Sequence, residues 1–154
     1  MAEQKNRLYV DYISRLDDSE LLPGVREYLG RLKEQGVGIA LGSASKNAVF
    51  ILDKLKLSGL FDAVVDGNTV SRAKPDPEVF ETACRSLGLQ PADCVVFEDA
   101  EAGIAAAKAA GMRGWLASAS RRYWKQPTLS SQDCMNCRTL VDLLQEKKAI
   151  SCMK

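Results

Sequence analysis

VVFEDAEAGIAAAKAAG, residues 95–111, runs from an apolar stretch through two adjacent carboxylates, Glu98 and Asp99, into an alanine-rich segment that stops at Gly111. The apolar run has the length of a buried strand over 94–97. The alanines favour a helix over 101–110, and Gly111 suits a left-handed stop. A strand that feeds straight into a helix is half of a parallel βαβ unit. Two acids at the end of a buried strand are costly unless a cation or a phosphate partner lies close by, so the rest of the chain has to supply one.

The same alternation extends both ways. Upstream, VGIALGSAS reads as a strand over 37–41 that breaks into small residues, followed by a helix over 46–57 with Phe50, Ile51 and Leu55 inward. A short strand at 63–65 and a helix at 77–87 come next, the helix opened by Asp76 as N-cap and Pro77 at its first position and closed by Gly88. Before them lie a helix over 3–16, carrying Leu8, Tyr12, Ile13 and Leu16 on one face, and a helix over 24–35, with Val25, Tyr28, Leu29 and Leu32 inward and Gly36 as its stop. Downstream, RGWLA starts a further strand. Residues 118–138 are polar and weakly patterned, and 139–148 read as a closing helix. Alternation of this kind predicts an α/β domain, a parallel sheet covered by helices on both faces.

Composition narrows the function. The 154 residues suffice for one core and not for two. With 21 basic and 20 acidic side chains the net charge is +1 and no basic block stands out, which argues against nucleic acid and against an anionic membrane. No apolar run has the length of a membrane span, and the start MAEQKNRLYVDY is too charged for a signal peptide, so a cytoplasmic protein with a small soluble ligand is expected. The absence of histidine removes Ser/His/Asp and Cys/His nucleophile mechanisms and leaves carboxylates, lysines and hydroxyls to do the chemistry. Five cysteines, among them Cys134 and Cys137 in CMNC, read as free thiols of a reducing compartment.

In an open parallel sheet, ligands bind beyond the carboxyl ends of the strands, and three segments leave strands there. GSASKN (42–47) combines two hydroxyls, backbone N–H groups and Lys46, either a phosphate nest or an ordinary helix cap. AKPDPEVF (73–80) holds Lys74 ahead of two prolines that fix the backbone, either an aimed charge or a solvated loop lysine. Glu98 and Asp99 offer hard oxygen ligands of the kind Mg2+ takes, or else a contact with a helix N-terminus. Together the three describe phosphoryl transfer by positioning and charge neutralisation.

The three segments, in this order, resemble motifs II, III and IV of the haloacid dehalogenase (HAD) superfamily, and ALGSASKN with FEDAEAGIAAAKAAG is most like the β-phosphoglucomutases within it. The resemblance covers about residues 3–117. It implies a Rossmann-like three-layer α/β/α core, with residues 1–18 as the remnant of the last cap-domain helix and 19–154 as a shortened core domain. It also implies that Ser43 and the Ala44 amide hold a transferring phosphoryl group whose charge Lys74 balances. Ser45, Lys46 and Asn47 would grip a second phosphate, Lys5 and Asn6 would face the substrate, and Glu98 with Asp99 would ligate Mg2+. The substrate would be a phosphorylated sugar, β-glucose 1-phosphate exchanging with glucose 6-phosphate.

This chain departs from the family in one respect. The family's nucleophile opens a D-x-D at the end of an apolar strand, and no D-x-D occurs here; Asp17 and Asp18 are adjacent, Asp66 follows a strand alone, and Asp76 is a helix cap. The missing strand would lie mid-sheet, between the strands at 37–41 and 94–97, leaving either a rearranged sheet or exposed edges that favour association. The resemblance therefore implies a part of a phosphotransferase, inactive by itself, with a partial and weak Mg2+ site. An N-terminal segment supplying D-x-D is the partner it calls for. A sugar-phosphate phosphatase and a non-catalytic phosphate-binding or split-protein module remain as other readings.

Overall fold

A computed structural model describes residues 9–21, 24–116 and 148–151. Residues 9–14 are helical (α1), followed by α2 (Val25–Glu34), β1 (Ala40–Gly42), α3 (Ala48–Lys54), β2 (Ala63–Val65), α4 (Glu78–Ser86), β3 (Cys94–Glu98), α5 (Glu101–Ala109), β4 (Arg113–Leu116) and β5 (Lys148–Ser151). All pairings are parallel and the sheet order is β2-β1-β5-β3-β4. The α/β expectation is met.

Side-chain alternation along the strands builds the layers. Leu41 and Val95 point to one face, where Leu29 and Leu32 of α2 and Leu52 of α3 cover them. Ala40 and Val96 point to the other, against Val79, Phe80 and Ala83 of α4 and Ala106 and Ala107 of α5. The result is three layers with an apolar core on each side of the sheet. Cys84 and Cys94 belong to the second core as free thiols, their Sγ atoms 3.7 Å apart. Gly36, Gly88 and Gly111 adopt φ of 73°, 66° and 75°, as their stop positions require.

The main correction concerns the middle of the sheet. The slot between β1 and β3 is filled: β5 pairs Cys94 with Lys148 through Phe97 with Ser151 on one side and Leu41 with Ser151 on the other. Of the two expectations, a rearranged sheet and exposed edges, the first holds: the edge at 94–97 is paired throughout and that of β1 at Leu41, and Lys148, expected to end a helix, lies in a strand. The remainder of that expected helix (139–147) and the tail at 118–138 lie outside the described residues.

Smaller corrections have local causes. The first strand begins at Ala40 rather than 37 because Asp62 captures Ile39: its Oδ2 accepts the Ile39 N–H at 2.8 Å and its own N–H donates to the Ile39 carbonyl at 2.7 Å. The helix expected over 46–57 is confined to Ala48–Lys54, since serine side chains hold the preceding loop and Lys56 turns left-handed at φ 52°. Its inward face is Ala48, Leu52 and Leu55, so Phe50 is 39% exposed, under the Lys54 ammonium. Tyr12, expected inward, is 59% exposed, while Ile13 beside it is buried. The helix expected from Pro77 starts at Glu78, with Asp76 Oδ1 accepting the Glu78 N–H at 3.0 Å.

Candidate functional site

At the carboxyl end of β1 the chain turns out of the sheet through Ser43. Its amide donates to the Val65 carbonyl at 2.9 Å, its side chain is buried, and its Oγ accepts the Ser45 N–H at 3.1 Å. Ser45 Oγ in turn accepts the Asn47 N–H at 3.1 Å. The two serine hydroxyls expected to grip phosphate thus first shape the loop that carries them. Each keeps its own proton to donate.

Paired with Lys74, Glu98 ends β3. Its side chain is only 2% exposed and is bound on both oxygens: Lys74 Nζ lies 2.6 Å from Oε2, and Oε1 accepts the Asp99 and Ala100 amides at 3.1 and 3.3 Å. Gly103 of α5 passes so close that a Cβ there would collide with the Glu98 carboxyl, which explains a glycine inside that helix. Lys74 is 14% exposed, donates also to the Gly42 carbonyl at 3.2 Å and lies 4.8 Å from the Phe80 ring centroid. Its ammonium therefore ties the ends of β1 and β3 together. The lysine is aimed, as the prolines after it predict, and Glu98 is its partner.

Ser43, Ala44 and Lys74 line one cleft, together with Gly67, Arg72 and Val79. Ser45, Lys46 and Asn47 follow in the chain but do not line it, Asp99 is exposed, and Lys5 and Asn6 lie outside the described residues. Sequence reasoning missed Arg72, whose Nη1 and Nε reach Asp76 at 3.3 Å and Glu78 at 3.4 Å; its position two residues before Lys74 was the available signal. It also weighed Asp66 in the turn at 66–69 only as a nucleophile and found it lacking. Asp66 there is buried, and burial alone would raise its pKa. Hydrogen bonds from Asn68 and Thr69 outweigh that and hold the carboxyl below its ordinary value.

A family model described as haloacid dehalogenase-like hydrolase matches residues 2–111. The chain belongs to this family. It is 46% identical over 112 residues to the β-phosphoglucomutase of Bacillus subtilis strain 168, covering 73% of this HAD chain and 50% of that protein. It is 43% identical over 100 residues to the fructose-1-phosphate phosphatase YqaB of Escherichia coli K12, covering 63% and 52%. Among solved structures, β-phosphoglucomutase from Clostridium difficile superposes with a TM-score of 0.72 at 37% identity, over 75% of this chain and 52% of that one. The chain spans about half the length of these relatives.

Enzymes of the HAD family generally use Mg2+. The donor set at hand is short for it: Asp99 is one exposed carboxylate, Glu98 already satisfies Lys74 and two amides, and no group of three or more metal-binding side chains converges among the described residues. Those residues alone do not complete an octahedral oxygen site. No helix among them is long and apolar enough to cross a membrane.

Proposed function

We propose that this chain is the phosphate-holding part of a β-phosphoglucomutase-like phosphotransferase acting on sugar phosphates in the cytoplasm, and that it does not turn over by itself. The observation that supports the reading most is the meeting of Ser43, Ala44 and Lys74 in one cleft at the carboxyl edge of the sheet. There the Ser43 hydroxyl and the Ala44 amide donate to phosphoryl oxygens, and Lys74 supplies a positive charge held in place before the anion arrives. Such preorganisation matters because transfer of a phosphoryl group is mainly a problem of positioning and charge. Ser45, Lys46 and Asn47 are assigned a second phosphate, and Lys5 with Asn6 the sugar. Glu98 and Asp99 would contribute only part of a weak Mg2+ site, and the nucleophilic aspartate would come from an N-terminal segment with D-x-D. Residues 1–18 belong to the cap and 19–154 to the core.

Calorimetric titration with inorganic phosphate tests the reading. Binding that Lys74→Ala abolishes is the expected result, and no heat with the unsubstituted chain would overturn it. Micromolar Mg2+ affinity in the same instrument would refute the weak metal site. The similarity to a fructose-1-phosphate phosphatase supports a second reading, simple hydrolysis of the sugar phosphate. Turnover assays after adding a D-x-D segment separate the two, because a mutase responds to a sugar bisphosphate activator and a phosphatase releases inorganic phosphate without one.

A further inference from the structure

Resting on the phosphate reading of the cleft, we propose that Asp66, Gly67 and Asn68 form a positioning bracket that sets the direction of the Ser43 hydroxyl and of the backbone after it. The turn is rigid in its own right. The Asp66 carboxylate accepts the Asn68 N–H at 2.9 Å, the Asn68 side-chain amide at 3.0 Å and the Thr69 hydroxyl at 3.0 Å. Rigid, it meets the loop at 43–47 at three successive carbonyls, the first by close approach and the next two by hydrogen bonds. Gly67 leaves no room for a Cβ, which would stand 2.5 Å from the Ala44 oxygen; the Gly67 N–H donates to the Ser45 carbonyl at 3.2 Å; and Asn68 Nδ2 donates to the Lys46 carbonyl at 2.9 Å.

Planarity of the trans peptide carries this grip to the cleft. In each unit the C=O and the following N–H point in opposite directions. The Ala44 carbonyl faces Gly67, which has no Cβ to push it away, and the Ser45 N–H of the same peptide points the other way, where it meets Ser43 Oγ at 3.1 Å. That bond uses an acceptor lone pair of the hydroxyl and leaves its proton for a ligand oxygen. Holding the Ser45 carbonyl fixes the Lys46 N–H in the same manner. Neither the Ala44 nor the Lys46 amide donates to another group among the described residues, and of the two it is the Lys46 amide, in one plane with the held Ser45 carbonyl, whose direction the bracket sets. None of the three bracket residues need touch the anion through its side chain; they act through Ser43 and the loop.

Asn68→Ala is the test, because Asn68 is exposed and its loss leaves the core intact. Amide spectra of the 15N-labelled chain are recorded during titration with inorganic phosphate, alongside thermal unfolding. The expected result is a three- to tenfold weaker phosphate affinity, the worth of about one hydrogen bond, with displaced Ser45, Lys46 and Asn47 amide resonances before any ligand is added and Tm nearly unchanged. Gly67→Ala is expected to weaken binding further, since it pushes directly on the Ala44 carbonyl. If the unsubstituted chain binds phosphate and Asn68→Ala binds it equally well with those resonances in place, the bracket is overturned and the phosphate reading stands. If the unsubstituted chain binds no phosphate, both fall.

Discussion

On the β1 flank of the site, Ser43 and its loop are held by hydrogen bonds among neutral groups, to Val65, Ser45 and the turn at 66–69; on the β3 flank, Glu98, which does not itself line the cleft, is held chiefly by the charge of Lys74. The two flanks meet at two places. Lys74 reaches from Glu98 to the Gly42 carbonyl above, and β5 lies between β1 and β3 below. The bonds that reach the loop on the β1 flank are between neutral groups, and its one charged member, Asp66, lies in the turn behind them. The charged flank is a buried pair, in which each member is costly without the other. An arriving phosphate competes with Glu98 for Lys74 and has no such competitor on the Ser43 side.

Removing what joins the flanks has the largest expected effect. Truncation after residue 147 deletes β5 and strips β3 and β1 of their neighbours, Val95, Val96 and Phe97 among them. Each orphaned backbone group costs about 1–3 kcal/mol where it stays buried, and a domain of this size has about 5–15 kcal/mol in all. The truncated chain is expected to unfold or to associate through the bared strands. Hydrogen exchange reads it directly: slow exchange at Val95–Phe97 in the full chain, fast in the truncation. Equal protection in both would show that β5 does not bridge the flanks.

Next in size is the charged flank alone. Lys74→Met leaves the Glu98 carboxylate buried without its cation and is expected to cost about 3–5 kcal/mol in denaturant unfolding. Lys74→Met with Glu98→Gln should recover much of that loss, because two neutral groups then replace the pair. An unaltered midpoint in the single variant would mean that the ammonium carries binding and not structure.

The flanks also differ in how far they could be read from the sequence. GSAS announced a loop of hydroxyls and AKPDP an aimed lysine, because small residues after an apolar run and prolines beside a lysine act locally. The pairing of Lys74 with Glu98 was not legible, since the two residues are joined only by the folded sheet. The turn at Asp66 was read as a failed nucleophile because its role lies in bonds to a loop about twenty residues earlier. Closure of the central slot by rearrangement was one of two expectations, but that residues 148–151 fill it was not legible. Four residues carry too little periodicity to separate a strand from a helix end, and their placement depends on what β1 and β3 leave open. Element limits failed for the same kind of reason, the start of β1 at Ile39 and the end of α3 at Lys56, where a distant aspartate and a left-handed turn intervene.

Two glycines set the flanks side by side at a smaller scale. Gly103→Ala drives a methyl into the Glu98 carboxyl, and Gly67→Ala drives one into the Ala44 carbonyl. Both should cost about 1–3 kcal/mol as overpacking, partly offset at position 103 by the helix preference of alanine. Thermal unfolding gives the stability, and phosphate titration gives the distinction: Gly67→Ala is expected to lose affinity through the Ser43 loop, Gly103→Ala through a displaced Lys74. Loss of stability at either position without any change in affinity would detach that flank from the cleft.

The smallest expected effect is in acid, and it falls on the neutral flank. Asp66 ionises more readily in the folded protein than in the unfolded chain, because the Asn68 and Thr69 hydrogen bonds outweigh the opposing effect of burial. A carboxyl with a depressed folded pKa adds stability that is complete above its unfolded value, near 3.8, and is lost as the pH falls through the lower folded value. The stability of the chain should therefore decline below about pH 4, and Asp66→Asn should flatten part of that decline while lowering stability at neutral pH. Asp62, depressed because its bonds to Lys33 and the Ile39 amide outweigh burial, contributes in the same window and serves as the control. Its replacement by asparagine should flatten the acid limb too, but leave phosphate affinity untouched, since it holds the start of β1 and not the loop after it. If Asp62→Asn weakens phosphate binding as much as Asp66→Asn does, the loop is responding to general loss of stability, and the contrast between a neutral flank shaped by its turn and a charged flank shaped by Lys74 no longer holds.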